Sequence, residues 1–217
     1  MRKCIDLESQ PGFQSIYAPQ MQQAIDRGLA GHSGTGVVDW GYADLGITNT
    51  DLNHWVTGVP VTYSNWNLVD LSHSDMTGAD FSRTSMRGVK LRNSIINRSI
   101  FHRVTLDYGM LRGASLVSSD FSETSFRGAD LQGADFSNAR LKNVDFSNAN
   151  LRGAQFSGAI LHNVKLRRAD CEGVNFYNAS IVDSDLHRVS FHNAKLVDAS
   201  ITGSNLERID FSNTDLR

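Results

Sequence analysis

The chain has 217 residues, 40% hydrophobic and 20% charged, with 21 Lys and Arg against 23 Asp and Glu for a formal net charge of −2. That length suits one domain, or one domain with a terminal extension, and there is enough apolar material for a sizeable core, which argues against a disordered chain. The near-neutral balance excludes both a strongly basic nucleic-acid binder and a strongly acidic mimic of nucleic acid.

In chain order, the stretch Met1 to Phe13 lacks the apolar run of a secretory signal, and no run of about 18 apolar residues predicts a membrane span. Two cysteines, Cys4 and Cys171, make no disulfide framework. A cytoplasmic location is therefore expected, with delivery by a signal-independent secretion machine as the alternative. Met21, Ala24, Ile25 and Leu29 follow helical spacing, Pro19 fits a first turn and Gly31 a C-terminal stop, so a helix is predicted over about 19–30. Gly31 to Gly36 reads as a loop and Val37 to Trp40 as a strand. Ala43-Asp44-Leu45 and Thr50-Asp51-Leu52 look like degenerate copies of a unit that dominates the rest of the chain.

That unit repeats every five residues. From Trp66 to Leu216 every fifth position, 31 in all, is 14 times Leu, 10 times Phe, three times Ile, twice Met, once Trp and once Cys. The residue two before each is Ala twelve times, Ser or Val seven times each and Thr three times, with Gly109 and Ile209 completing the set. Such a register over 31 units is not chance. A period of five is neither helical nor that of a plain strand. Within a unit, however, the small and large residues are two apart, which points both to one side of an extended segment. The three-residue gap to the next small residue must carry a change of direction. The residue two after the large one sits at that bend and is Gly or Asn in 17 of 30 cases, the types that best tolerate turn conformations. Each unit is thus one short side and one corner, and successive sides wind into a solenoid.

Units such as Ala129-Asp130-Leu131-Gln132-Gly133 and Ala134-Asp135-Phe136-Ser137-Asn138 make the chain resemble the pentapeptide-repeat family, with its A(D/N)Lxx unit, over about 70% of its length. The resemblance implies an all-β fold: a right-handed, four-sided β-helix with four units per coil and nearly eight coils, about 37 Å long at about 4.8 Å per coil. Fourfold winding predicts interior columns. One holds Phe81, Phe101, Phe121, Leu141, Leu161, Ile181 and Ile201. Another holds Leu71, Leu91, Leu111, Leu131, Leu151, Cys171, Phe191 and Phe211. The division is then residues 1–60 as a capping segment and 61–217 as the β-helix. A cap is expected because an open solenoid end exposes apolar columns and strand edges; a partner-binding or targeting element is the alternative role.

Candidate chemistry is sparse. GxSxG, Walker and CxxC patterns do not occur. His102 and His162 would lie three coils apart, roughly 14 Å, too far to share a metal held at about 2.0–2.3 Å. His187 and His192 fall on adjacent faces with outward side chains. Cys171 is expected to be inert core packing. No catalytic residue, metal ligand or cofactor is therefore expected. From Val61 onward there are 18 basic and 17 acidic residues. Under fourfold winding Arg87, Arg127, Arg167, Arg168, Arg188 and Arg208 gather on one face and its edge, which holds seven basic and four acidic residues. Arg92, Arg112 and Arg152 line the adjacent face. The strip reads either as a solvated, salt-bridged surface, with Asp130, Asp170 and Glu172 interleaved, or as a docking strip for an acidic partner. Direct nucleic-acid binding is not expected, because no aromatic stacking platform accompanies the arginines.

Some proteins of the family protect bacterial type II topoisomerases, gyrase and topoisomerase IV, as quinolone-resistance or toxin-immunity factors. They do so with acidic rods that imitate DNA, some carrying projecting loops. Here the rod is charge-balanced, no insertion breaks the register after Trp66, and the chain ends on Asp215-Leu216-Arg217 without the C-terminal helix of many such dimers. The first expectation is therefore a non-enzymatic protein–protein interaction module of the bacterial adaptor or effector kind; topoisomerase protection is the alternative. The last coil places Ile201, Leu206, Phe211 and Leu216 at the end of the interior columns, which predicts a tail-to-tail homodimer through about residues 200–217 unless the natural protein continues beyond them.

Overall fold

The computed structural model describes residues 65–217, together with two short strands nearer the start, β1 (Gly31–His32) and β2 (Val38–Asp39). These two pair antiparallel, with Gly31 opposite Asp39 and His32 opposite Val38. β2 lies within the strand expected at Val37 to Trp40. β1, by contrast, occupies the first two positions of the stretch read as loop, because Val38 and Asp39 supply it with a pairing partner. The helix expected over 19–30 and the degenerate units at 43–45 and 50–52 lie outside the described residues.

From Asn65 onward the chain is a parallel β-solenoid. Each residue ahead of a large inward one bridges its counterpart 20 positions on, from Asn65 with Ser85 to Lys195 with Asp215. The coil is therefore four five-residue units, and 153 described residues (65 to 217) make nearly eight coils. On one side the bridges lengthen into a six-stranded parallel sheet of β3 (Ile100–His102), β4 (Asp120–Ser122), β5 (Arg140–Lys142), β6 (Ile160–His162), β7 (Ser180–Val182) and β8 (Ser200–Thr202), in chain order. Its register sets Phe101 against Phe121, Leu141, Leu161, Ile181 and Ile201, the column expected from the spacing.

The corners explain the third part of the unit. On three sides the turn closes with a bond from the small residue's N–H to the preceding large residue's C=O, as from Val69 to Trp66 at 3.3 Å and from Ala79 to Met76 at 3.2 Å. All 30 residues two after a large one, from Leu68 to Asn213, have positive φ, 21 of them not glycine. A positive φ confined to the third turn position is the type II geometry. Asn tolerates it, whereas a longer side chain is held there at a cost of roughly 1 kcal/mol or more. Glycine serves packing as well at Gly128, where a Cβ would come within 2.9 Å of the Tyr108 ring from the coil before.

The large residues fill the interior, with Phe81, Phe101, Phe121, Phe126, Phe136, Phe146, Phe156, Phe176 and Phe191 fully buried. Within a column the rings stack at the coil spacing, as Phe136 on Phe156 at 4.9 Å and 4°. Between columns they meet edge to face, as Phe126 and Phe136 at 5.9 Å and 89°. Both geometries suit the ring quadrupole. Serine and threonine at the small position are buried without penalty because their hydroxyls find carbonyls: Ser94 donates to Leu71 at 2.8 Å and Ser119 to Ile96 at 2.9 Å, both in the previous coil.

Candidate interaction surface

The outward positions flank each large residue, and the one before it is mostly structural. Asp135 accepts the N–H of Ser137 at 2.9 Å, Asp145 that of Ser147 at 2.9 Å and Asn175 that of Tyr177 at 3.0 Å. Such caps satisfy a turn amide that would otherwise face water. They account for Asp and Asn at this position as turn caps. The histidines stay apart: His102 and His162 are three ladder steps from one another along one sheet row. Cys171 is buried among apolar side chains, and burial pushes its thiol up, which suppresses the reactive thiolate.

The six arginines expected to form one strip occupy two neighbouring rows. Arg87, Arg127 and Arg167 lie in the row after the large residue, and Arg168, Arg188 and Arg208 lie at the corner beside it, with φ of 59°, 60° and 60°. Their chemistry divides along the rod. Arg87 and Arg127 flank Asp107, which sits in the same row one coil from each. Asp107 accepts from Arg127 Nη2 at 2.7 Å and Nε at 3.2 Å, and from the Ser125 hydroxyl; Arg87 Nη1 stands 3.8 Å away. The Arg87 guanidinium also lies 5.7 Å from the centre of the Tyr108 ring. Although its position is outward, Asp107 is only 1% exposed, covered by these neighbours. Burial acts against its charge, but the Arg127 and Ser125 hydrogen bonds and the Arg127 charge outweigh that effect and hold the carboxyl below its usual range. At this end of the strip two arginines share one buried carboxylate. Sequence reasoning did not single out Asp107; the signal is the alternation Arg87, Asp107, Arg127 at steps of 20.

At the other end Arg167 Nη2 reaches Asp185 at 3.5 Å, and Arg208 Nε reaches its neighbour Glu207 at 3.6 Å. Arg168 and Arg188 are exposed, and among the described residues no carboxylate pairs with either. On the adjacent face Arg152 is spent on Asp170 at 3.3 Å and Glu172 at 2.5 Å.

The residues expected to form a dimer end differ from the core in one respect. Leu206, Phe211 and Leu216 are 43%, 36% and 63% exposed, and Ile201 is partly buried, whereas Leu186 and Phe191 one coil earlier are fully buried. Leu186 and Phe191 also donate their amides to Asn205 and Asp210 of the following coil at 3.0 and 2.8 Å. Leu206 and Phe211 have no following coil among the described residues.

Comparison with known proteins agrees with this geometry. A family model described as "Pentapeptide repeat region" matches residues 99–176, and one described as "Pentapeptide repeats (8 copies)" matches 64–103, 161–193, 169–208 and 194–217. No curated protein matches the chain. Among solved structures, QnrB1, a plasmid-mediated fluoroquinolone resistance protein, is 17% identical over 72% of this chain and 86% of its own, with a TM-score of 0.54. HetL, a pentapeptide repeat protein involved in heterocyst differentiation regulation from the cyanobacterium Nostoc sp. strain PCC 7120, is 20% identical over 71% of this chain and 90% of its own, with a TM-score of 0.31. Rfr23, from the cyanobacterium Cyanothece 51142, is 18% identical over 68% and 91%, with a TM-score of 0.34. At 17% identity the likeness to QnrB1 speaks to fold alone. The repeat register, the four-unit coil and the two family matches that together span residues 64–217 lead to one conclusion: the chain belongs to the pentapeptide-repeat family.

Proposed function

We propose that this protein is a non-enzymatic interaction module, a rigid rod whose flat sides present fixed side chains to a protein partner. The observation that carries this reading is the regularity of the scaffold: coil-to-coil backbone bonds and capped turns hold every outward row in a set position from Asn65 to Arg217. A preorganised surface loses little conformational entropy on binding, which is the advantage of solenoid binders. The last coil supports a second element of the proposal, a homodimer formed tail to tail. Its exposed Leu206, Phe211 and Leu216 and its sheet edge would be covered by the same end of a second copy related by a twofold axis.

The fold likeness to QnrB1 raises the alternative of topoisomerase protection. Charge argues against it: from Val61 on, 18 basic and 17 acidic residues leave no excess of negative charge to imitate DNA. The deciding experiment has two arms. Affinity capture from the source cell, followed by reconstitution from purified components, is expected to give a saturable complex with one protein. Gyrase supercoiling under quinolone inhibition is expected to be unrelieved by low-micromolar protein. Protection in the second arm, or no partner that survives reconstitution in the first, refutes the reading.

A further inference from the structure

The corner row that carries Arg168, Arg188 and Arg208 is unlike the others. These three residues follow one another on successive coils with no acid among them, and each holds the left-handed backbone that Gly or Asn adopts at lower cost. Like charges facing one another across neighbouring strands also repel. Two other places relieve such contacts, although Arg92 and Arg112, outside the corners, also stand one coil apart with no carboxylate pair among the described residues. The other corner with adjacent arginines, Arg83 and then Arg103, continues into Glu123, which accepts from Arg103 Nε at 2.7 Å. Arg87 and Arg127 are separated by Asp107. In the Arg168–Arg208 row, one side-contact to Glu207 is the only relief among the described residues.

From this contrast we infer that the Arg168–Arg188–Arg208 corner is the docking rail for an α-helix of the partner that carries acidic residues along one face. The inference rests on the interaction-module reading and names the partner's chemistry. Charge complementarity calls for carboxylates, and spacing selects a helix. Three consecutive coils span two steps, about 9.6 Å at about 4.8 Å each. Acidic residues at helix positions i, i+4 and i+7 span about 10.5 Å at about 1.5 Å per residue. A helix laid parallel to the rod axis therefore presents three carboxylates to three guanidiniums nearly in register. The planar fork of each arginine suits a paired carboxylate. A nucleic-acid strand is the poorer fit, because a rail of three arginines neutralises few phosphates.

The test uses the full chain and two fluorescein-labelled peptides of equal composition, each about six helical turns long. In one, glutamates lie on a single face; in the other, they are spread around the helix. Fluorescence polarisation is expected to show tighter binding of the one-face peptide, weakening as salt rises from about 50 to about 300 mM. The Arg168→Gln, Arg188→Gln double variant is expected to lose about ten-fold in affinity, while Arg112→Gln on the adjacent face binds as wild type. Circular dichroism and urea midpoints of the variants show whether the rod is intact. Equal binding of the two peptides, an unchanged affinity in the double variant, or stronger competition by a DNA duplex than by unlabelled peptide each overturns the inference. A reconstituted partner that binds the double variant as well as wild type would refute the rail while leaving the interaction module standing.

Discussion

Replacing Phe136 with alanine tests the inward register where the core is densest. Its ring is fully buried, stacks on Phe156 at 4.9 Å, and meets Phe121, Phe126 and Phe146 edge to face at 5.5, 5.9 and 5.8 Å. Truncation removes four aromatic contacts and leaves a cavity that the neighbouring coils cannot close, since their backbones are tied to one another by Phe136 N–H to Gln155 C=O at 2.7 Å and Asn138 N–H to Ser157 C=O at 2.9 Å. The expected loss is about 3–5 kcal/mol, at the upper end because the stack is broken as well as the volume lost. Asn138, two residues on at the corner, provides the control. Alanine there loses Asn's tolerance of a φ of 59° and costs about 1 kcal/mol, whereas glycine relieves the strain and comes out near neutral. Urea unfolding followed by circular dichroism measures all three variants, with the slope checked for loss of two-state behaviour. Similar small losses for Phe136→Ala and Asn138→Ala would refute the inward assignment and with it the whole register.

Asp107→Asn is expected to destabilise by about 1–3 kcal/mol at neutral pH, through loss of charge-assisted bonds to Arg127. Because the folded carboxyl is held below its ordinary value, that contribution is present above about pH 4 and fades as pH falls through the lower folded value. The stability gap between wild type and Asp107→Asn should therefore close in acid; a gap that stays constant down to pH values of about 2 would show that the carboxylate's charge is not its source. Light scattering at tens of micromolar is expected to give twice the 23.9 kDa chain mass, and a Phe211→Asp, Leu216→Asp double variant to give the monomer. A monomeric wild type would refute the dimer, and a dimer that survives the substitutions would place its interface elsewhere.

Much of this molecule was legible in its residues. The five-residue period names every inward side chain, because small and large residues two apart on an extended segment share a face, and Phe136 and Ala134 are both buried as that rule requires. The bend at each third gap was equally plain from Gly133, Asn138 and their equivalents, since positive φ selects those residues. A period of five does not by itself say how many sides close a coil. That number sets which residues meet across coils, and it is a property of the wound chain: the bridges from each residue to the one 20 on make Arg87, Asp107 and Arg127 neighbours. Burial of Asp107 follows from that contact and not from its place in the unit, where every equivalent position points outward. The same long-range pairing separates six arginines that look alike in sequence: Arg87 and Arg127 share one buried carboxylate, Arg167 and Arg208 reach Asp185 and Glu207, and Arg168 and Arg188 face solvent without a carboxylate partner among the described residues. Local periodicity determines which way a side chain points; only the stacking of coils decides what it finds there.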